Sequence, residues 1–240
     1  MSPFFIHTQR TTVNVGDKNC SKKQLLDYLQ FLKKQPKGFV YHDPQEHKNQ
    51  CTNPQNNSHL LEQIKITYGH CQSCPLAQQG RTKVIFGEGN QNAKLMFIGE
   101  GPGRDEDEQG RPFIGRAGQL LTKIIQAMGM TREDVYISNV VKCRPPNNRV
   151  PLPTESDQCT KLILFKEIEI IKPRIICTLG STAIQALMGN EAKITKMRGI
   201  FTDYHGIRLM PTYHPAYLLR NPEAKTIVWE DMKKIIAELH

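Results

Sequence analysis

The 240-residue chain is predicted to be an α/β protein: a three-layer αβα sandwich with a central four-stranded parallel sheet, behind a helical or irregular N-terminal extension. Three observations predict this. Short runs of consecutive apolar residues recur from residue 59 onward, as in strands buried on both faces. Segments with apolar residues at helical spacing separate them. Each run leads into, or carries near its end, a glycine-rich or chemically distinctive cluster, and parallel strands would gather these clusters at one sheet edge.

Residues 1–58 stand apart. Ser21 to Lys34 is a candidate helix with Leu25, Leu26, Leu29 and Leu32 on its apolar side, and 41–58, rich in Asn, Gln, His and Pro, reads as a linker. The domain is then expected over 59–240. Its first strand, Lys94–Ile98, opens into the loop Gly99-Glu-Gly-Pro-Gly-Arg-Asp-Glu-Asp-Glu-Gln-Gly-Arg-Pro-Phe-Ile-Gly115. A helix over 117–128 follows, with Leu120, Leu121, Ile124, Ile125 and Met128 on one face and Gly129 as its stop. The second strand, Val135–Val141, carries Asn139. The third, Arg174–Leu179, runs into Gly180-Ser181, and the fourth, Ile207–Pro211, into Thr212-Tyr213-His214-Pro215. Further helices are expected over 154–171, 181–188 and 225–239, the last with Val228, Met232, Ile235, Ile236 and Leu239 at helical spacing. Convergence of the four strand ends argues for a single active site.

Composition narrows the partners. The net charge of +9 and the pI of about 9.2 favour an anionic partner, most simply nucleic acid. The extension supplies +4 of this, with eight Lys/Arg against four Asp/Glu. No apolar run approaches the ~18 residues that a bilayer span requires. The N-terminus lacks the basic start and apolar core of a secretion signal, so a cytoplasmic chain is expected, nucleoid-associated in a prokaryote-type cell and without membrane contact. The seven cysteines are an odd number, and in that compartment they read as thiols or metal ligands rather than disulfides.

Cys71-Gln-Ser-Cys74, followed at once by Pro75, pairs naturally with the distant Cys143 and Cys159. Two thiols of a short turn plus two remote ones can close a four-cysteine site for an iron–sulfur cluster or for structural zinc. A redox C-x-x-C would leave Cys143 and Cys159 unexplained. Cys177, inside an apolar run, reads as core, and Cys20 and Cys51 as free thiols.

The glycine-rich loop is not a dinucleotide site. Arg104 stands where the third glycine of G-x-G-x-x-G would be, and Asp105 to Glu108 would repel a pyrophosphate. Some of these acids fit a solvated helix start. Phe113 looks exposed. After the fourth strand, His214 precedes Leu218-Leu219-Arg220, an apolar wedge beside a cation of the sort that unstacks a base; a buried helix turn is the alternative for the two leucines.

Three separated elements carry a resemblance: Gly-Glu-Gly-Pro-Gly…Gly-Arg-Pro-Phe-Ile-Gly, then Asn139-Val-Val-Lys-Cys-Arg-Pro-Pro, then His214-Pro-Ala-Tyr-Leu-Leu-Arg-Asn-Pro. In this order, with four matching cysteines, they resemble the family 4, iron–sulfur uracil-DNA glycosylases, from about Cys71 to Trp229. The resemblance implies a [4Fe–4S] cluster on Cys71, Cys74, Cys143 and Cys159, and a monofunctional enzyme that releases uracil from single- or double-stranded DNA and leaves an abasic site. It implies that Phe113 stacks on the flipped base, that Asn139 reads its O4 and N3–H, and that Glu106 crowds C5 against thymine. Glu100 and Gly101 would line the pocket beside the sugar, His214 would face uracil O2, Leu218 would fill the gap in the duplex, and Arg220 would meet a phosphate. Family 1 enzymes carry an aspartate where Gly101 stands, so either Glu100 assists water or cleavage is largely dissociative. No lysine in these motifs is placed for a Schiff base, and 109–118 holds neither an insertion nor a histidine that would trap abasic DNA. A monomer suffices for one pocket. Two other readings are a superfamily member acting on another damaged base, such as hypoxanthine, and a non-catalytic iron–sulfur DNA-binding protein.

Overall fold

The structure, a computed structural model, describes residues 54–240. The helix expected over Ser21 to Lys34, together with Cys20 and Cys51, lies outside the described residues. Helix α1 (Pro54–Tyr68) begins within the stretch read as linker. The Asn57 amide anchors its first turn, donating to Gln91 O at 3.1 Å and Asn92 Oδ1 at 2.9 Å, while Leu61 and Ile64 are buried.

Six strands form one sheet: β1 (Glu88–Gly89), β2 (Leu95–Gly99), β3 (Tyr136–Asn139), β4 (Ile175–Leu179), β5 (Thr202–Tyr204) and β6 (Ile207–Thr212), in the order β1-β3-β2-β4-β6-β5. The four expected strands are its parallel centre, β3-β2-β4-β6. The expected four-stranded sheet is therefore extended at each edge by a short antiparallel strand. Both additions are too short to show a periodicity. β5 joins β6 through His205-Gly206, whose φ angles of 52° and 82° suit a tight two-residue hairpin.

Alternate strand residues build two cores, one on each face. Met96, Ile98 and Ile176 pack with α1 and with residues 153–171. Leu95, Phe97, Ile137 and Met210 pack against α3 (Arg116–Ala127, following the short α2, Arg104–Gln109) and the C-terminal helix. The single helix expected over 154–171 has three parts: α4 (Pro153–Cys159), a π turn (Thr160–Leu164) and α5 (Phe165–Ile171). After β4 come α6 (Ser181–Met188), α7 (Ile194–Met197), α8 (Pro215–Arg220) and α9 (Ala224–Leu239). No described helix is long and apolar enough to cross a membrane.

The chain runs from β2 to a neighbour on one side, β3, and then crosses to β4 on the other. The connections part company at the carboxyl end of β2, where open parallel sheets leave a crevice.

Candidate active site

A cleft of about 930 Å3 occupies that crevice. It is lined by residues following all four parallel strands, among them Glu100, Phe113, Asn139, Ser181 and His214.

Its floor is set by Gly99. In the parallel register Gly99 lies opposite Asn139. A Cβ on Gly99 would stand 2.3 Å from Phe113 Cζ and 2.6 Å from Asn139 Oδ1, so only glycine lets the ring and the amide meet above the strand end. Phe113 is 5% exposed, not the exposed residue that its polar loop suggested. Its φ of +53° is unusual for a non-glycine residue and costs on the order of 1–3 kcal/mol. Arg132 holds it there, donating to Phe113 O at 2.9 Å and Pro112 O at 2.8 Å. Gly118 lets α3 come up beneath it, since a Cβ there would overlap the Phe113 carbonyl.

Asn139 is 2% exposed and its Oδ1 has no hydrogen-bond partner. A buried orphan acceptor costs about 1–3 kcal/mol. In a cleft wall, it marks where a ligand N–H belongs.

His214 caps α8, and its Nδ1 accepts the Ala216 N–H at 3.1 Å. That bond places the ring proton on Nε2. Burial, and then the positive Arg220, lower its pKa to about 4. The imidazole is therefore neutral at pH 7 and offers one N–H donor. Its ring centroid lies 5.7 Å from that of Phe113.

Glu106 joins the two ends of the loop: Oε1 accepts from Ile114 N at 3.1 Å and Gly115 N at 2.9 Å, and Oε2 from Gly103 N at 3.2 Å. Held by three N–H groups, it forms a fixed wall of the cleft. Asp107 is also structural, being buried and accepting from Thr82 N at 2.9 Å and Lys83 N at 3.3 Å. Of the acidic run, only Glu108 is exposed. Glu100 accepts from the Thr182 hydroxyl through Oε2. Gly101 packs so tightly that a Cβ would lie 2.6 Å from Val141 Cγ2, so an aspartate could not stand there without displacing a buried valine.

The structure corrects the expectation for Leu218. It is 1% exposed and packs into the core with Leu121, Val228 and Met232, while Leu219 is 37% exposed. A helical turn can bury one face only, and α8 turns Leu218 inward. Arg220 is exposed at the rim of the cleft. Sequence reasoning missed Arg104, Arg116, Arg144 and Arg149, which line the same cleft. Arg149 is aimed by the Glu155 carboxylate at 2.7 and 2.8 Å, a bidentate pair that the six-residue spacing did not advertise.

Lys142 stands inside the second motif, but its ammonium is buried against Glu167 at 2.7 Å. It has three acceptors, so it is no nucleophile.

The four cysteines come together. Cys143 and Cys159 are buried in the core on one sheet face, and Cys74 packs against it. Burial raises the Cys74 and Cys143 thiols and pushes Cys159 up to about 12. Like charges then add: Cys71 acts on Cys74, Cys74 and Cys71 act on Cys143, and Cys143 and Cys74 act on Cys159. Against this, Arg81 donates to Cys143 Sγ at 2.9 Å and the Lys142 N–H to Cys159 Sγ at 3.3 Å, contacts that favour the charged sulfur. Among the described residues, no three His, Cys, Asp or Glu donors converge as one metal ion would need. Cys177 is buried core.

An aromatic ring, an unpaired amide oxygen and a neutral imidazole thus meet in one cleft of an α/β fold, set under a rim of arginines. The family model of the uracil DNA glycosylase superfamily matches residues 86–233, and the chain belongs to that superfamily. It is 49% identical over 179 residues to a type-4 uracil-DNA glycosylase of Thermotoga maritima, covering 73% of this chain and 92% of that one. It is 46% identical over 184 residues to a type-4 enzyme of Sulfurisphaera tokodaii (73% and 83% covered) and 39% over 183 residues to one of Archaeoglobus fulgidus (73% and 91% covered).

Proposed function

We propose that this chain is a monofunctional uracil-DNA glycosylase of base excision repair, hydrolysing the N-glycosidic bond of deoxyuridine in DNA to leave an abasic site. The observation that carries the reading is the orphaned Asn139 Oδ1 beside the Phe113 ring above Gly99. A flipped uracil stacks on Phe113, gives its N3–H to Asn139 Oδ1 and receives the amide N–H at O4. Cytosine reverses both polarities and leaves two buried groups unpaired. Glu106, immobilised by three backbone N–H groups, meets C5 and leaves no room for a methyl group.

As the C1′–N1 bond breaks, its electron pair leaves with uracil and positive charge develops on the sugar. The His214 Nε2–H donates to uracil O2 and stabilises the anion; such a preorganised donor contributes about 2.7–4 kcal/mol. Water adds to C1′ and loses a proton. Glu100 is the carboxylate poised to assist, with one oxygen held by Thr182 and the other left for that water. Arg220 and the other arginines of the rim take phosphates on either side of the flipped nucleotide. A single pocket takes a single base, so a monomer suffices.

Cys71, Cys74, Cys143 and Cys159 would hold the [4Fe–4S] cluster that the family resemblance implies: they lie within electrostatic reach of one another, and four thiolates are the donor set such a cluster takes. When bound, the cluster supplies charge neutralisation and a covalent staple between the segment before β2, the exit of β3 and α4.

The test is an oligonucleotide carrying one uracil, beside thymine and hypoxanthine controls, treated with alkali after incubation. Cleavage at uracil alone, and only after alkali, is expected. Release of hypoxanthine alone would overturn the specificity, strand cleavage without alkali the monofunctional chemistry, and silence on all three the enzymatic reading.

A further inference from the structure

We propose that Lys142 is a positioning residue for base recognition, tying the Asn139 turn to the helix that carries Cys159. The proposal rests on the reading of Asn139 as the residue that recognises the base.

The side chains of Lys142 and Glu167 are 0% and 1% exposed and 2.7 Å apart. All three ammonium protons of Lys142 have acceptors: Ser138 Oγ at 2.6 Å, the Asn139 carbonyl at 2.7 Å and Glu167 Oε2 at 2.7 Å. Glu167 is equally occupied, accepting from Ser138 Oγ at 2.7 Å and from Gly87 N at 2.9 Å. The backbone N–H of the same lysine donates to Cys159 Sγ. One residue thus holds the carbonyl of Asn139 with its side chain and a cluster cysteine with its backbone.

A buried ion pair is seldom more stabilising than apolar packing of the same volume, and its best-attested use is to specify one arrangement. Here the arrangement has something to specify. Asn139 Oδ1 has no partner in the protein, so its aim is set by the backbone that carries it. On one side that backbone is held to β2, where Val140 N donates to Gly99 O at 2.9 Å and Val141 N to Glu100 O at 3.1 Å. Lys142 is the hold on the other side. The π turn at Thr160–Leu164 has a role in this scheme: its extra residue rotates α5 so that Glu167 and Cys159 both reach Lys142.

The experiment is a double-mutant cycle on the full chain with its cluster loaded, comparing Lys142→Met, Asn139→Ala and the pair on a uracil-containing oligonucleotide. Amide hydrogen exchange is measured on the same preparations. Lys142→Met is expected to lower kcat about 10²-fold with KM within about threefold, and to add less than about threefold once Asn139 is alanine. Exchange at Val140 and Val141 should quicken. A purely structural lysine would lower the rate as much in both backgrounds, and that result, or unchanged exchange, overturns the proposal. Full activity of Asn139→Ala alone would instead overturn the reading of Asn139 and the proposal with it. If Lys142→Met does not fold, Glu167→Gln, which keeps the shape and removes the counter-charge, is put through the same cycle with the same expectations.

Discussion

The Arg132 guanidinium donates to the Phe113 carbonyl at 2.9 Å across nineteen residues of chain, and so keeps an aromatic residue in the left-handed region. Burial raises the carboxyl of Glu88, but hydrogen bonds from Arg111 and Arg132 outweigh it and hold it below its usual range, so the clamp is charged at neutral pH. Arg132→Ala is expected to destabilise the domain by about 1.5–3 kcal/mol in urea titrations, the range for hydrogen bonds to charged groups, and to raise KM as Phe113 relaxes. Arg132→Lys should not rescue it, because a point charge cannot hold two carbonyls and a carboxylate in one plane.

His214 makes a prediction about pH. With its pKa lowered to about 4, it stays neutral through the range where a free histidine, near 6.5, would titrate. The single-turnover rate should therefore show no break from His214 near pH 6.5, and should fall only as pH approaches 4 and a proton on Nδ1 displaces the Ala216 N–H. The same shift acts on stability. The unfolded chain takes up this proton first, so the contribution of His214 is complete above about pH 6.5 and is lost as pH falls towards 4. His214→Ala should lower kcat by about 10²–10³-fold. A rate break near 6.5 that disappears in His214→Ala would refute the neutral-donor role.

The two leucines of α8 should separate cleanly. Leu218→Ala removes a core side chain and is expected to cost about 2–5 kcal/mol of stability. Leu219→Ala should stay within about 0.5 kcal/mol of wild type, yet slow uracil release from duplex DNA more than from single strands if the exposed leucine fills the gap. Thermal melts with paired duplex and single-strand assays distinguish the two.

The cysteine site predicts coupled losses. Cys143→Ala removes a buried sulfur that receives Arg81, next to the lysine that holds Asn139. Loss of cluster absorbance, a lower melting temperature and loss of uracil release are expected together. Full stability and activity in Cys143→Ala would show that the cysteine set is no scaffold.

Much of this was legible along the chain. Runs such as Leu95–Gly99 and Ile175–Leu179 declare strands buried on both faces, and the glycine, asparagine and histidine at their ends declare a common edge, because side-chain period and strand direction are local properties. The roles expected of Phe113, Asn139 and His214 came instead from the resemblance to family motifs. Only the tertiary structure decided what depends on neighbours distant in sequence. It turned Leu218 inward and Leu219 outward, since the buried face of a short helix is chosen by what packs against it. It converted Glu106 and Asp107 from a charged run into acceptors for backbone N–H groups that other segments bring to them. It showed why position 101 is glycine, which is a matter of the distance to Val141. It also gave Lys142 its role, because the partner that buries it, Glu167, stands twenty-five residues away along the chain. The sequence alone determined which chemical groups reach the cleft. Which of them are held still, and by what, was decided by long-range packing.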